Sequence, residues 1–499
     1  MFKKILVANR GEIAVRVLRA CREMGISSAT VYSDADRNAL HAKYADEVYC
    51  LGPAPATESY LRIEKIIEIA KRSNAEAIHP GYGFLAENTE FAKACESSGI
   101  IFIGPTSKAI ELLGDKIASK RTMTAAGIPV IPGSDGEIEE GDEAIKVAEE
   151  IGFPVLIKAA GGGGGKGMRT VQKKEELVGA MKQAVNEAQS AFGNPTVFIE
   201  KFLKAPRHIE FQILADNYGN VIHLFERECS VQRRHQKLIE ESPSMIMTSE
   251  LRAKMGRAAV KAVKASDYTN AGTVEFMVDE KRNFYFLEMN TRLQVEHPVT
   301  ELITGIDIVK EQLKIASGEK LLLKQDEIRM NGAAIECRIS AEDPENNFAP
   351  STGEIIEYKS PGGIGVRMDS GVYEGFEIPV YYDPLIAKLL VWAPTRQEAI
   401  VRMKRALGEC TIRGIKTSIP FHILVLNNPK FVLGDYDTTF IDNVLGKIVY
   451  KKQYYDVAAI SSVIGKILKK ERTTVATAKR EFGINPWKLA NRLKMMKKI

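Results

Sequence analysis

Apolar and polar positions recur in two rhythms along this chain. An unbroken run, Ile-Leu-Val-Ala, reads as a buried strand over 3–8, and after a turn at 9–11 Ile13, Val17 and Ala20 fall at helical spacing, predicting a helix over 12–24. Further strands are predicted over 29–32, 77–79 and 100–103, with helices over 61–72 and 90–98 between them. Strand and helix in alternation predict an open parallel sheet through about residue 115. Ligands of such sheets bind beyond the carboxyl ends of the strands, here residues 9–11 and 79–88.

Pro129, Pro132, Gly133 and Gly136 then mark a boundary. A strand over 154–158 runs into five consecutive glycines, a helix is predicted near 174–189, and strands recur over 196–200, 208–215, 221–226, 272–279 and 283–290. Residues 320–332 read as a linker before a third, mainly β region over 333–445. The expected fold class is therefore multidomain, mixing α/β and α+β.

Composition narrows the class without changing this picture. At 499 residues, 45% hydrophobic and 27% charged, the chain has material for several cores, which excludes disorder and a disulfide scaffold. Its six cysteines are scattered singly with no CxxC pair, which fits a reducing compartment and argues against a zinc cluster. No apolar run nears the ~20 residues that span a bilayer, and the apolar stretch at the start is too short for a signal peptide. The expectation is a soluble, cytoplasmic protein with no membrane partner. The net charge of +5 hides an asymmetry: residues 450–499 carry 13 Lys/Arg against three acids, so an acidic body precedes a basic tail.

The glycines at 161–165 leave backbone N–H groups free to wrap phosphate, and Lys158 ends the strand that leads into them. The run is not a Walker A loop, because Ala160 and Gly167 stand where Gly and Ser or Thr are required. It reads as a mobile nucleotide lid, with a flexible surface loop as the bland alternative. Glu275 and Glu288 are symmetric about residues 281 and 282, so a hairpin turning there sets them opposite each other. Two poorly solvated carboxylates repel unless a cation joins them, and Mg²⁺ shared with substrate phosphates resolves this. Glu288, Asn290 and Arg292 fall on one strand face, and Arg292 and Glu296 beyond can hold and deprotonate a small oxyanion. The alternative is a solvent-exposed alternating strand. The donor-rich run 226–237 reads by itself as a solvated face or a nucleic-acid patch, and His223 and His422 read as core or surface residues.

The segments KILVANRGEIAVR, HPGYGFLAEN, IGPTSKAIELLGDK, KAAGGGGGKGM, RHIEFQ, ERECSVQRRHQK, FLEMNTRLQVEHPVTE and AIECRISAEDP together resemble the biotin carboxylase component of biotin-dependent carboxylases, in the ATP-grasp superfamily. The resemblance covers about residues 1–445. It implies an N-terminal domain over 1–115, an ATP-grasp domain over 116–330 with its lid at about 131–203, and a C-terminal domain over 333–445. It implies that ATP phosphorylates bicarbonate to carboxyphosphate, which carboxylates the ureido nitrogen of biotin. By the same resemblance Lys116, Lys158, Gly164, Gly165, Glu200, Lys201, Leu203, His208, Gln232 and His235 stand at nucleotide positions, with Glu275 and Glu288 shared between nucleotide and metal. Glu275, Glu288 and Asn290 would hold Mg²⁺ or Mn²⁺, and Lys237, Arg292, Gln294 and Val295 bicarbonate. Glu296 matches the general base, Arg338 the residue that stabilises the biotin enolate, and Tyr82 a contact near the biotin ring. A homodimer is implied, with Arg19, Glu23 and Arg367 at its two-fold contact.

No Ala-Met-Lys-Met biotinylation motif follows, so the biotin carrier and carboxyltransferase are expected on a separate chain. The carrier-free length and the tail favour the biotin carboxylase subunit of a two-subunit pyruvate carboxylase; an acetyl-CoA or other acyl-CoA carboxylase, another ATP-grasp ligase and a nucleic-acid-binding protein are the alternatives. In the tail over 450–499, Val457, Ile460, Val463, Ile464, Ile467 and Leu468 mark an amphipathic helix, and a break follows at 483–486. It reads as a docking arm for the partner chain, a helix packed on the body, or a helix-turn-helix. The turn spacing is one residue too long for the last, which weighs against nucleic acid.

Overall fold

The computed structural model describes residues 1–138, 142–160 and 168–445, together with residues 461 and 463–466 of a second unit, Lys447–Ile499. Those five positions are helical. The glycine run with Gly164 and Gly165, and the remainder of the tail, lie outside the described residues. All else concerns the unit Met1–Gly446.

The first sheet has five parallel strands: β1 (Lys4–Val7), β2 (Ser27–Ser33), β3 (Glu47–Gly52), β4 (Ala77–His79) and β5 (Ile101–Phe102), in the order β3-β2-β1-β4-β5. The edge strand β3 was not legible in the periodicity, because most of its residues keep partial solvent contact. The order reverses between β1 and β4, and the loops beyond them meet at that point. Asn9 Nδ2 donates to the carbonyls of Pro80 and Tyr82 at 2.6 and 2.9 Å, tying the two loops together. Gly81 and Gly83 take positive φ in this turn, and Phe84 adopts φ 43° as well. The first helix, Gly11–Glu23, buries Ile13, Ala14, Val17, Leu18 and Cys21. Each such aliphatic side chain is worth roughly 1.5–3 kcal/mol of burial.

A small antiparallel sheet follows, β6 (Val155–Ala159) between β7 (Met168–Val171) and β8 (Val197–Lys201), packed under the helices Asp142–Ile151 and Lys174–Phe192. The largest sheet is antiparallel and has eight strands. It contains β9 (Arg207–Ala215), β10 (Val221–Arg233), β11 (Gln236–Ser242), β12 (Asn270–Val278), β13 (Phe284–Asn290) and β14 (Ala333–Ser340), then Leu385–Ala393 and Val366–Ser370. The order is β13-β12-β9-β10-β11-β14, so strands from beyond residue 333 complete the same sheet. The helix Arg396–Glu409 packs on β14 and Leu385–Ala393, the helices Ile419–Asn427 and Pro429–Leu433 follow against it in turn, and Phe440–Leu445 packs on β10. β10 is longer than its hydrophobic pattern suggested. It continues through the polar run after residue 226, and Glu226 to Gln232 are all buried, so this half of the run is not a solvated face, whereas Arg234 and His235 at the following turn and Gln236 just after it are exposed.

Among the described residues no helix is long and apolar enough to cross a membrane. Of the charges expected at a two-fold contact, Arg19 is exposed, Glu23 pairs with Lys310 at 2.6 Å, and Arg367 is held by Glu301 and Asp369 at 2.7 Å each.

The first helix is seated directly on the turn that follows Val366–Ser370. A Cβ on Gly371 would lie 2.6–2.8 Å from backbone atoms of Gly11 and Glu12, where only glycine fits. Gly371→Ala is therefore expected to lower stability by about 1–3 kcal/mol, read as an earlier thermal unfolding transition.

Candidate active site

A cavity of about 660 Å³ opens between the loops of the first sheet, β6 and β7, and one face of the large sheet. Tyr82, Lys116, Lys158, His208, Gln232, His235, Lys237, Glu275, Glu288, Asn290, Arg292, Gln294, Val295 and Arg338 all line it. Glu200 stands behind Lys158, 2.7 Å from its ammonium and 3.0 Å from that of Lys120. Lys201 and Leu203 are not among the lining residues. The Lys201 ammonium instead donates to the carbonyls of Gly152 and Phe153 at 2.7 and 3.3 Å.

Lys237 occupies the centre. The hairpin of β10 and β11 pairs it with Gln232, and its ammonium donates to Glu296 at 2.6 Å, to Glu275 at 2.9 Å and to Glu210. Glu210 is wholly buried and also accepts from Arg227 Nε at 2.6 Å. Burial disfavours the Lys237 ammonium, but the three carboxylates outweigh it and hold its pKa well above the ordinary value.

Glu275 and Glu288 face each other across the β12–β13 ladder, brought opposite by a register shift between Glu275 and Phe276. Burial would raise the pKa of Glu275, yet Lys237 and His208 hold it down, the latter with Nε2 2.6 Å from Oε2. Glu288 has the opposite fate. It accepts no hydrogen bond among the described residues, and burial together with the Glu275 charge pushes its carboxyl up, against the pull of Lys116. Asn290 Nδ2 donates to Glu275 at 2.7 Å, leaving its amide oxygen toward Arg292. An unpartnered carboxylate, a second one across the ladder and an amide oxygen form the all-oxygen donor set that suits a hard divalent cation.

Glu296 immediately precedes the helix His297–Thr304, its side chain makes no capping hydrogen bond, and it is fully buried. Its oxygens are divided between Lys237 at 2.6 Å and Arg338 at 2.9 Å. Burial works against its charge, but Lys237, Arg338 and Arg227 prevail and keep it ionised well below the usual carboxylate range. Arg338 also donates Nε to Glu240 at 2.6 Å. Burial lifts the Glu240 carboxyl to about 7 despite that arginine. Arg292 is fixed by Glu87 at 2.8 Å and by Gln294 at 3.0 Å.

Sequence reasoning passed over Glu87, Glu210, Glu240 and Lys388. Glu87 sits inside the HPGYGFLAEN segment and Glu210 inside RHIEFQ, so both were in view without a role. Lys388 had a signal of its own, a lone charge in the strand LIAKLLVWA. His422 is a buried residue behind the site, its Nε2 2.6 Å from the carbonyl of Arg338. His223 packs against Phe211 and Phe225.

Comparison with known proteins agrees with this geometry. Residues 1–110 match the family described as biotin carboxylase, N-terminal domain; 115–324 match the carbamoyl-phosphate synthase L chain, ATP binding domain; and 336–443 match the biotin carboxylase C-terminal domain. The chain is 60% identical over 442 residues to one subunit of the pyruvate carboxylase of Methanothermobacter thermautotrophicus, covering 89% of this chain and 90% of the relative. It is 56% identical to biotin carboxylase 1 of Bacillus subtilis, covering 89% and 98%. It is 54% identical to the 2-oxoglutarate carboxylase small subunit of Hydrogenobacter thermophilus, covering 89% and 93%. A solved biotin carboxylase domain dimer of the Hydrogenobacter 2-oxoglutarate carboxylase, in complex with MgADP, ADP and bicarbonate, superposes with a TM-score of 0.87 at 53% identity, covering 91% of this chain and 100% of that one. Identity at this level, spread over nearly the whole of each relative, has one reading: the protein belongs to the biotin carboxylase family.

Proposed function

We propose that this chain is the biotin carboxylase component of a pyruvate carboxylase, using ATP, Mg²⁺ and bicarbonate to carboxylate biotin carried on a separate chain. The observation that carries the reading is the buried Glu296, shared between Lys237 and Arg338 beside the Glu275–Glu288 pair. The choice of pyruvate is supported by the 60% identity to the pyruvate carboxylase relative, against 54% to the small subunit of a 2-oxoglutarate carboxylase. A homodimer is supported by the solved dimer of the latter enzyme's biotin carboxylase domain. Six free cysteines support a cytoplasmic setting.

Lys158 meets the nucleotide phosphates from β6 of the small sheet and Lys116 from the start of the helix Lys116–Ala125. Glu275, Glu288 and Asn290 would hold the magnesium ion, which neutralises phosphate charge. Arg292, Gln294 and Val295 orient bicarbonate, and Glu296 takes its proton. The carbonate oxygen then bonds to the γ-phosphorus as the bond to ADP breaks, giving carboxyphosphate and ADP. The carboxyl carbon next bonds to the ureido nitrogen of biotin as its bond to phosphate breaks, phosphate leaves with the ureido proton, and Glu296 returns the bicarbonate proton to solvent. Arg338 offsets the enolate charge of biotin while Tyr82 packs near its ring.

The base poses a problem that the cations resolve. With both Lys237 and Arg338 on it, Glu296 binds a proton weakly. Bicarbonate brings a competing anion to Lys237, and as the ammonium is shared the proton affinity of Glu296 rises when a proton is to be taken.

Three outcomes test this. Glu288→Gln should cut ADP release by roughly 100-fold with the fold intact, whereas near-normal turnover contradicts the metal assignment. Glu296→Ala should slow bicarbonate-dependent ATP cleavage by roughly 100- to 1,000-fold while calorimetry finds ATP affinity unchanged. Arg338→Gln removes one cation from a carboxylate whose pKa lies below its ordinary value, so that pKa climbs. The acid limb of the pH profile of biotin-independent ATP cleavage should move to higher pH by about one unit. The acceptor is chosen on another chain, so it is assigned by supplying the carrier and transferase chain with labelled bicarbonate. Label fixed with pyruvate supports the proposal, and label fixed only with an acyl-CoA or 2-oxoglutarate replaces it.

A further inference from the structure

Lys388 lies in the middle of the strand Leu385–Ala393, among apolar neighbours, and its side chain is wholly buried. A charge in such a place persists only with partners inside the fold. Two stand out among the described residues. The ammonium donates to the carbonyl of Val295 at 2.9 Å and lies 3.2 Å from Glu12 Oε2. The carbonyl of Val295 belongs to the peptide that carries Glu296.

The ladder sharpens this. Lys388 stands directly opposite Arg338 on β14, and opposed residues of an antiparallel pair project from the same face. Arg338 grips the Glu296 carboxylate at 2.9 Å. Two adjacent cations therefore hold one residue, Arg338 by its side chain and Lys388 by its main chain. Glu12 supplies the counter-charge from the first helix, and neither of its carboxylate oxygens is hydrogen-bonded among the described residues. The ammonium therefore bonds the carbonyl and pairs with the Glu12 carboxylate, while Asp369, opposite Lys388 on the strand Val366–Ser370, is held by Arg367.

We propose that Lys388, balanced by Glu12, is a positioning residue that fixes the 295–296 peptide and so aims the Glu296 carboxylate at bicarbonate. This rests on the reading of Glu296 as the base. Misplacing a reacting group by about 1 Å can cost as much as 100-fold in rate, whereas nucleotide contacts made by other residues are unaffected.

The test is a double-mutant cycle on the full chain, read as kcat of bicarbonate-dependent ADP release at saturating ATP, with ATP affinity measured by calorimetry. Lys388→Met should lower kcat by roughly 10- to 100-fold at unchanged ATP affinity. In the Glu296→Gln background the same change should cost almost nothing further, because its target is already gone. An equal loss in both backgrounds overturns the proposal, and so does a wild-type kcat for Lys388→Met. If Lys388→Met does not fold, Glu12→Gln/Lys388→Met removes both charges together. Wild-type kcat in that variant makes Lys388 a mere counter-ion and overturns the proposal, while a low kcat at normal ATP affinity supports it. Wild-type activity of Glu296→Gln would instead remove the base assignment, a separate failure read from a separate variant.

Discussion

Three carboxylates, Glu210 on β9, Glu275 on β12 and Glu296 before the helix His297–Thr304, converge on the single ammonium of Lys237. Without it they would repel at close range in a site shielded from water, at a cost of roughly 4 kcal/mol per pair at an effective dielectric of 20. Each carboxylate has its own second partner. Arg227 serves Glu210, His208 serves Glu275 and Arg338 serves Glu296. Lys237 thus joins three separate ion pairs into one network, and every strand of the cavity face from β12 to β14 contributes to it. Arg227 anchors the base of this network by donating also to Gln212, Thr273 and Thr300, which belong to three different elements.

The same network explains why the site is ready for anions. Its cations are over-subscribed by internal carboxylates, so an incoming bicarbonate or phosphate competes for charges that are already oriented and dehydrated. Glu288 is the exception, a carboxylate with no cation bonded to it among the described residues, and it is the one placed across the ladder from Glu275. The nucleotide side is simpler, since Lys158 is steadied by Glu200 behind it.

Much of this was legible in the chain. Counting residues about a turn set Glu275 opposite Glu288, and the structure pairs them, but the pairs nearest the turn match Phe276 with Phe286, and a register shift between Glu275 and Phe276 is what brings Glu288 into place. The loops beyond β1 and β4 also fell where alternation of strand and helix placed them, and both line the cavity. Partners distant in sequence were not legible. Arg292 and Glu87 are 205 residues apart, and no pattern along the chain announces that they meet. The buried polar length of β10 was hidden for another reason. Hydrophobic periodicity finds strands through their apolar face, and here the strand carries charged groups that are satisfied by partners inside the fold, on strands and helices alike, rather than by solvent.

β10 also constrains how this chain can vary over time. Cys229 and Gln232 have opposite parity, yet Cys229 Sγ lies 4.0 Å from Glu296 and Gln232 lines the cavity. The register against β11 shifts on both sides of Val231, between Glu228 and Val231 and between Val231 and Gln232, and a third shift, against β9, falls between His223 and Glu226. The strand is therefore indexed to two neighbours at once. Inserting or deleting one residue would turn Arg227 out of its pocket or move the turn that presents Lys237. Homologous chains should differ here by substitution alone, with length preserved from Val221 to Ser242, while insertions accumulate in segments such as 320–332 that no ladder counts.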